Sequence, residues 1–103
     1  MMRLVYITVG NEDEAKKIAK ILVNERLAAC VNIYKVESVY RWRGELVEDK
    51  ELVLIAKTTD NKVEKIIKRV KEVHSYELPC IISFKIDKGL EEFIKWVEES
   101  TKS

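Results

Sequence analysis

The side chains best suited to soft-metal or nucleophilic chemistry are few. The 103-residue chain has two cysteines, Cys30 and Cys80, and one histidine, His74. A metal role for His74 needs soft partners, and Cys80 is the nearest thiol in sequence. Each also has a plainer reading. The thiols suit small core positions, and His74 suits the end of a helix, where a protonated ring favours the dipole. A second group lies on extended segments. Asn32, Tyr40 and Trp42 share one parity, and Glu51 and Lys57 share a face with Val53 and Ile55. An ion pair beside aromatics could line a cleft for a small anion or a metal. It serves equally as an interfacial pair with packing anchors. Arg26 with Asn32 makes only a weak anion site, since no glycine-rich cradle accompanies them. Cys-x-x-Cys, His-Glu-x-x-His, Gly-x-Ser-x-Gly, Gly-x-Gly-x-x-Gly and Walker motifs are all absent. No nucleophile–base pair or catalytic carboxylate pair is apparent, so the chain does not read as an enzyme.

The elements that must position these residues follow from periodicity. Leu4–Val9 is a nearly continuous apolar run, as in a central strand. Gly10-Asn11 breaks it, and Asn11 with Glu14 resembles a capping box. Ala15, Ile18, Ala19 and Leu22 then predict an amphipathic helix over 12–26. Period-two alternation predicts a strand over 29–43, a tight turn at Arg43-Gly44, and a returning strand through 51–58. Asp60 or Asn61 is expected to cap a second helix, with Val63, Ile66, Ile67, Val70 and Val73 buried. Pro79 opens a last strand, Cys80 to Asp87. A C-terminal helix is expected to turn Leu90, Phe93, Ile94 and Val97 inward.

This β-α-β-β-α-β order, plus a C-terminal helix, is an α+β, ferredoxin-like double split βαβ. It spans residues 1–103 as a single domain. Right-handed crossovers set the strand order 4-1-3-2 with helices on one face. Cys30 and Cys80 then begin opposite edge strands at opposite ends, too far apart for a disulfide within one copy. The hairpin of the second and third strands overshoots the helices and carries Tyr40, Trp42, Leu46 and Val47 on its overhang. With both edges open, this predicts a symmetric homo-oligomer through strand pairing.

Composition bounds the partners. Nineteen basic and eighteen acidic residues leave a net charge of +1, which gives no global pull toward nucleic acid or an anionic membrane. The third strand carries no aromatic residue on which bases could stack. No apolar run reaches the roughly 18 residues of a membrane helix. The first residues show no signal-peptide pattern, and two cysteines without an export signal suggest a cytoplasmic setting. Charged residues reach 36%, against a usual figure of about 25%, which fits a heat-adapted surface.

Three blocks carry a resemblance. They are Glu25-Arg26-Leu27-Ala28-Ala29-Cys30-Val31-Asn32-Ile33, the hairpin Ser38–Gly44 with Asp49-Lys50-Glu51 and Lys57-Thr58, and His74-Ser75-Tyr76-Glu77-Leu78-Pro79. Together and in order, they resemble the CutA family of divalent-cation-tolerance proteins. The resemblance implies a homotrimer paired through the long hairpin, and a role in tolerance of divalent metals, copper in particular. It implies copper ligands at Cys30 and at His74 with the residue before it, here Val73 rather than histidine. It also implies that Ser75 stands where the family usually has proline, and Cys80 where it commonly has glutamate. That exchange removes a carboxylate and adds a soft ligand. The metal reading therefore takes Cys30, His74 and Cys80 as candidate ligands for copper or another divalent cation. Since Cys30 and His74 fall near opposite ends of the sheet, a shared site must cross between copies. The alternative reading is a non-metal ligand in an intersubunit cleft near Asn32, Tyr40, Trp42, Glu51, Lys57 and Tyr76.

Overall fold

Alternation along the first strand sorts its side chains onto two faces. Val5, Ile7 and Val9 are fully buried, while Leu4, Tyr6 and Thr8 are half-buried between them. A computed structural model describes residues 1–103. Its elements are β1 (Met2–Val9), α1 (Glu12–Asn24), β2 (Cys30–Trp42), β3 (Glu45–Thr59), a 3-10 turn (Asp60–Lys62), α2 (Val63–Val73), β4 (Ile81–Lys85) and α3 (Glu91–Ser100). The four strands form one antiparallel sheet in the order β2-β3-β1-β4. This is the expected ferredoxin-like arrangement.

The core fills one face. Val5, Ile7 and Val9 of β1 and Leu52, Leu54 and Ala56 of β3 pack against Ala15, Ile18 and Leu22 of α1 and Val63, Ile66 and Val70 of α2. Each large aliphatic buried there contributes about 1.5–3 kcal/mol. The opposite face carries Leu4, Tyr6, Ile55, Val53, Ile82 and Phe84 with no helix over most of it. Only α3 crosses to that side. Its Val97 and Ile94 cover Met2, Leu4 and Ile86 at one corner.

Several local expectations hold. Asn11 Oδ1 accepts the Glu14 N–H at 2.9 Å and caps α1. Arg43 and Gly44 both take positive φ, 50° and 82°, between Trp42 and Glu45, which pair, as a two-residue type I′ hairpin requires. Others are corrected. Helix α1 ends at Asn24 because Arg26 turns left-handed, and the Leu27 N–H closes onto the Leu22 carbonyl at 2.9 Å. Neither Asp60 nor Asn61 caps α2, which has no side-chain cap. The Asp60 carboxylate is taken instead by Arg3 Nε, at 2.6 Å. β4 runs only from Ile81 to Lys85, flanked by single bonds to β1, from Thr8 N–H to the Cys80 carbonyl and from Ile86 N–H to the Met2 carbonyl. On α3, Leu90 is 68% exposed and Phe93 and Trp96 face outward, so only Ile94 and Val97 point to the sheet.

The long hairpin gives the molecule its shape. β3 has fifteen residues, and β1 pairs the last eight, Leu52–Thr59. The remaining seven, Glu45–Glu51, pair only with β2 and project ~23 Å at the usual strand rise. Accordingly, the molecule measures 45 × 25 × 21 Å.

Candidate functional site

The polar residues gather where the hairpin leaves the sheet. His74 leaves the helical conformation at φ −83°, ψ 141°, and ends α2. Its imidazole is fully buried. Nε2 lies 2.7 Å from the Thr8 carbonyl oxygen, which only accepts, so Nε2 carries the proton. Nδ1 accepts the Tyr76 N–H at 3.0 Å. The ring is thus the neutral Nε2–H tautomer, held by two backbone groups. The neighbouring Ser75 gives its N–H and its hydroxyl to Glu14, at 2.7 and 2.8 Å.

That anchored loop places Tyr76. Its ring lies 4.7 Å from the imidazole, and its Oη donates to Glu51 Oε2 at 2.7 Å. Gly10 permits the approach, because a Cβ there would sit 3.1 Å from the phenol oxygen. Glu51 is only 7% exposed. Burial, and then the Glu51 carboxylate, push the Tyr76 phenol well above the ordinary tyrosine range. Next to Glu51 on the same face of β3 is Asp49, which accepts a long bond from Tyr40 Oη at 3.4 Å. Burial, then Asp49 and Glu51, raise the Tyr40 phenol. Cys80 sits opposite Thr8 on the same face, its carbonyl accepting the Thr8 N–H. Burial and then Glu51 push its thiol up, which disfavours the thiolate that acts as nucleophile or metal ligand. The arrangement can donate and accept hydrogen bonds and present carboxylate to a cation. It holds no activated nucleophile.

Around this cluster the open face is unfinished. Tyr34, Tyr40, Trp42, Ile82 and Phe84 are 37–49% exposed on it. β2 and β4 are unpaired edges, and so is the projecting part of β3.

The family model for the CutA1 divalent ion tolerance protein matches residues 3–100. The chain belongs to the CutA family. A divalent-cation tolerance protein CutA from Thermus thermophilus is 49% identical over 102 residues, covering 98% of this chain and 99% of that protein. The solved structure of a periplasmic divalent cation tolerance protein CutA from Archaeoglobus fulgidus is 39% identical. It superposes with a TM-score of 0.97, over 99% of this chain and 100% of that one. A chloroplastic CutA protein of Arabidopsis thaliana is 40% identical, and this chain spans 56% of it. No helix here is long and apolar enough to cross a membrane.

Against the ligands that CutA membership suggested, the geometry is specific. Cys30 lies in the row Cys30–Lys57–Leu4–Phe84, and Cys80 lies level with Thr8. They share the open face but are three strands apart, ~14 Å, and four residues apart along the sheet, ~13 Å. His74 sits at the Thr8 end, far from Cys30, with both ring nitrogens engaged. No three His, Cys, Asp or Glu side chains converge on a point that could hold a metal. One copy therefore does not supply a complete metal site from Cys30, His74 and Cys80.

Of the cleft residues, the structure brings Tyr76, Glu51 and Tyr40 near one another and places Cys80 beside them. Lys57 is six residues from Glu51 along one strand, ~20 Å, so no ion pair forms between them within a copy. Trp42 is at the hairpin tip under the Arg43 guanidinium, and Asn32 is on the edge strand beside Ile55. Three participants escaped the sequence reading. Asp49 was findable, since it shares parity with Glu51. Glu14 and Thr8 were not, since their partners are 61 and 66 residues away.

Proposed function

We propose that this CutA-family chain works as a homotrimer in divalent-cation tolerance. It takes copper or another soft divalent cation at the seams between copies. The observation that carries this reading is the open sheet face. It presents both thiols, the Glu51 carboxylate and a run of half-exposed aromatics beside unpaired strand edges. Strand pairing between copies satisfies those edges and buries the aromatics. It also allows donors from different copies to meet, which the distances within one copy forbid. The relatives' names, divalent-cation tolerance proteins, support the same role. His74 contributes by holding Tyr76, since its ring nitrogens are already bonded.

A second reading is favoured by the Tyr76–Glu51 contact. Preorganised phenols and carboxylates at a seam suit a small non-metal ligand that donates hydrogen bonds. Calorimetric titration of the reduced protein with copper, with mass from light scattering in the same buffer, separates the two. The metal reading expects the mass of three copies and stoichiometric binding that is lost in Cys30→Ser/Cys80→Ser. Unchanged copper affinity in that double variant sinks the metal reading and leaves the cleft. The mass of a single copy sinks the trimer.

A further inference from the structure

Two opposite charges on the open face of the sheet are each left without a counter-charge. Glu51 is only 7% exposed, and its one bond is from the neutral Tyr76 hydroxyl at 2.7 Å. Lys57 is half-buried in the row Cys30–Lys57–Leu4–Phe84. Neither takes part in any ion pair of the chain. They stand ~20 Å apart along β3, so they cannot meet within a copy. The strand residues of this face include no other lysine or arginine. Their remaining charges are Glu45 and Asp49, on the projecting hairpin. The hydrogen-bond donors around Tyr76 are all used, and what is left over there is negative charge.

Water screens both charges while the face stays open. Closing copies over the face removes that water. A charge buried against apolar surface is heavily penalised, whereas two opposite charges buried against each other are far less so. We propose that at each seam of the assembly Lys57 of one copy enters the cleft of the next and pairs with its Glu51, beside the Tyr76 hydroxyl. In a closed ring every copy gives one lysine and receives one, so no charge is left over. The inference rests on the homotrimer reading and adds the contact that aligns the copies. It sets the root of one hairpin against the inner part of the neighbouring β3. Glu51 receives the lysine in preference to Asp49, because Asp49 is exposed and keeps its water. With Glu51 so engaged, a soft cation at the same seam is left the thiols, which such metals prefer.

The test is a double-variant cycle on the assembly of the reduced, full-length chain. Light scattering follows the mass on dilution, in enough urea to bring dissociation into the micromolar range. Lys57→Met and Glu51→Gln should each raise the concentration of half-dissociation about tenfold or more. The double variant should be little worse than either single one. Sites ~20 Å apart within a copy are expected to add, so such coupling reports contact between copies. Lys57→Arg, which keeps the charge, should stay within about threefold of wild type, and so should Asp49→Asn. If Glu51→Gln does not fold, Lys57→Met against Lys57→Arg still decides, since Lys57 is partly exposed and unpaired inside its own copy. A wild-type chain with the mass of one copy overturns the trimer reading and this contact with it. A wild-type trimer in which Lys57→Met assembles as well as wild type, or in which the two losses add, overturns the contact alone. So does coupling of Lys57→Met to Asp49→Asn in place of Glu51→Gln, which moves the lysine to the other carboxylate.

Discussion

The two ends of β1 handle buried polar groups in opposite ways. At the Thr8 end every donor finds an acceptor. His74 bridges the Thr8 carbonyl and the Tyr76 N–H, Ser75 engages Glu14 twice, and Tyr76 reaches Glu51. At the Met2 end Lys62 is buried and its ammonium donates to a neutral group, the Ser103 hydroxyl. The first arrangement is complete without a ligand, so it serves to fix geometry, above all the position of Tyr76 against Glu51. The second sets a charge against a neutral hydroxyl, and a charge so placed costs stability unless another charge nearby compensates it. Stability measurements can therefore break the comparison, because the two ends should respond to mutation with opposite signs.

The largest effect belongs to His74. His74→Ala leaves the Thr8 carbonyl and the Tyr76 N–H buried without partners and opens a small void. The expected loss is ~3 kcal/mol in urea unfolding at fixed protein concentration. A loss below ~1 kcal/mol would mean that the histidine only caps its helix. Tyr76→Phe should follow at ~1–2 kcal/mol, because it removes a hydrogen bond to a carboxylate and leaves the ring in place. If that variant unfolds at the wild-type urea midpoint, the bond is not holding the cluster together.

How much of this was legible depends on the range of the interaction. The strand order follows from the crossover rule, and alternation groups Cys30 with Tyr40 and Glu51 with Lys57, while the pairing register brings these and Cys80 onto one face. The Asn11 cap and the Arg43-Gly44 turn are local and were readable for the same reason. Asp60 was misread as a cap because its partner, Arg3, is 57 residues away. His74 was read as a helix end. That is true of its backbone, but its ring answers to Thr8, which only the closed sheet brings near. Leu90 and Phe93 fit the apolar stripe of α3, yet they face outward, because one corner of the sheet accommodates only Ile94 and Val97. Five of the six cleft residues, all but the loop residue Tyr76, share a face but not a place. A period-two pattern fixes the side of a strand and leaves the position along it open.

At the other end the sign reverses. Lys62→Met keeps the aliphatic packing and removes an ammonium that burial and Lys65 disfavour, so it should stabilise the protein by ~1 kcal/mol. A destabilised Lys62→Met would mean that the ammonium is already compensated within the chain, and the contrast between the ends would fail.

The smallest and sharpest effect lies in the alkaline range. Burial and Glu51 raise the Tyr76 phenol above its ordinary 10.0, so the folded chain keeps that proton when the unfolded chain has lost it. Its contribution is complete below about pH 10 and declines as the pH rises beyond that. Lys62 is shifted the other way, below its ordinary 10.5, by burial and Lys65. Between its folded value and 10.5 the unfolded chain binds the extra proton, so stability rises with pH there. The two slopes partly cancel in wild type. Each variant should uncover one of them when the urea midpoint is followed from neutral pH to pH 11. Relative to wild type, Tyr76→Phe should show a shallower alkaline decline, since Tyr6, Tyr40 and Cys80 still contribute to it, and Lys62→Met should lose the rise that precedes it. If both variants run parallel to wild type, neither proton is held differently in the folded state. The two ends of the strand would then be electrostatically alike.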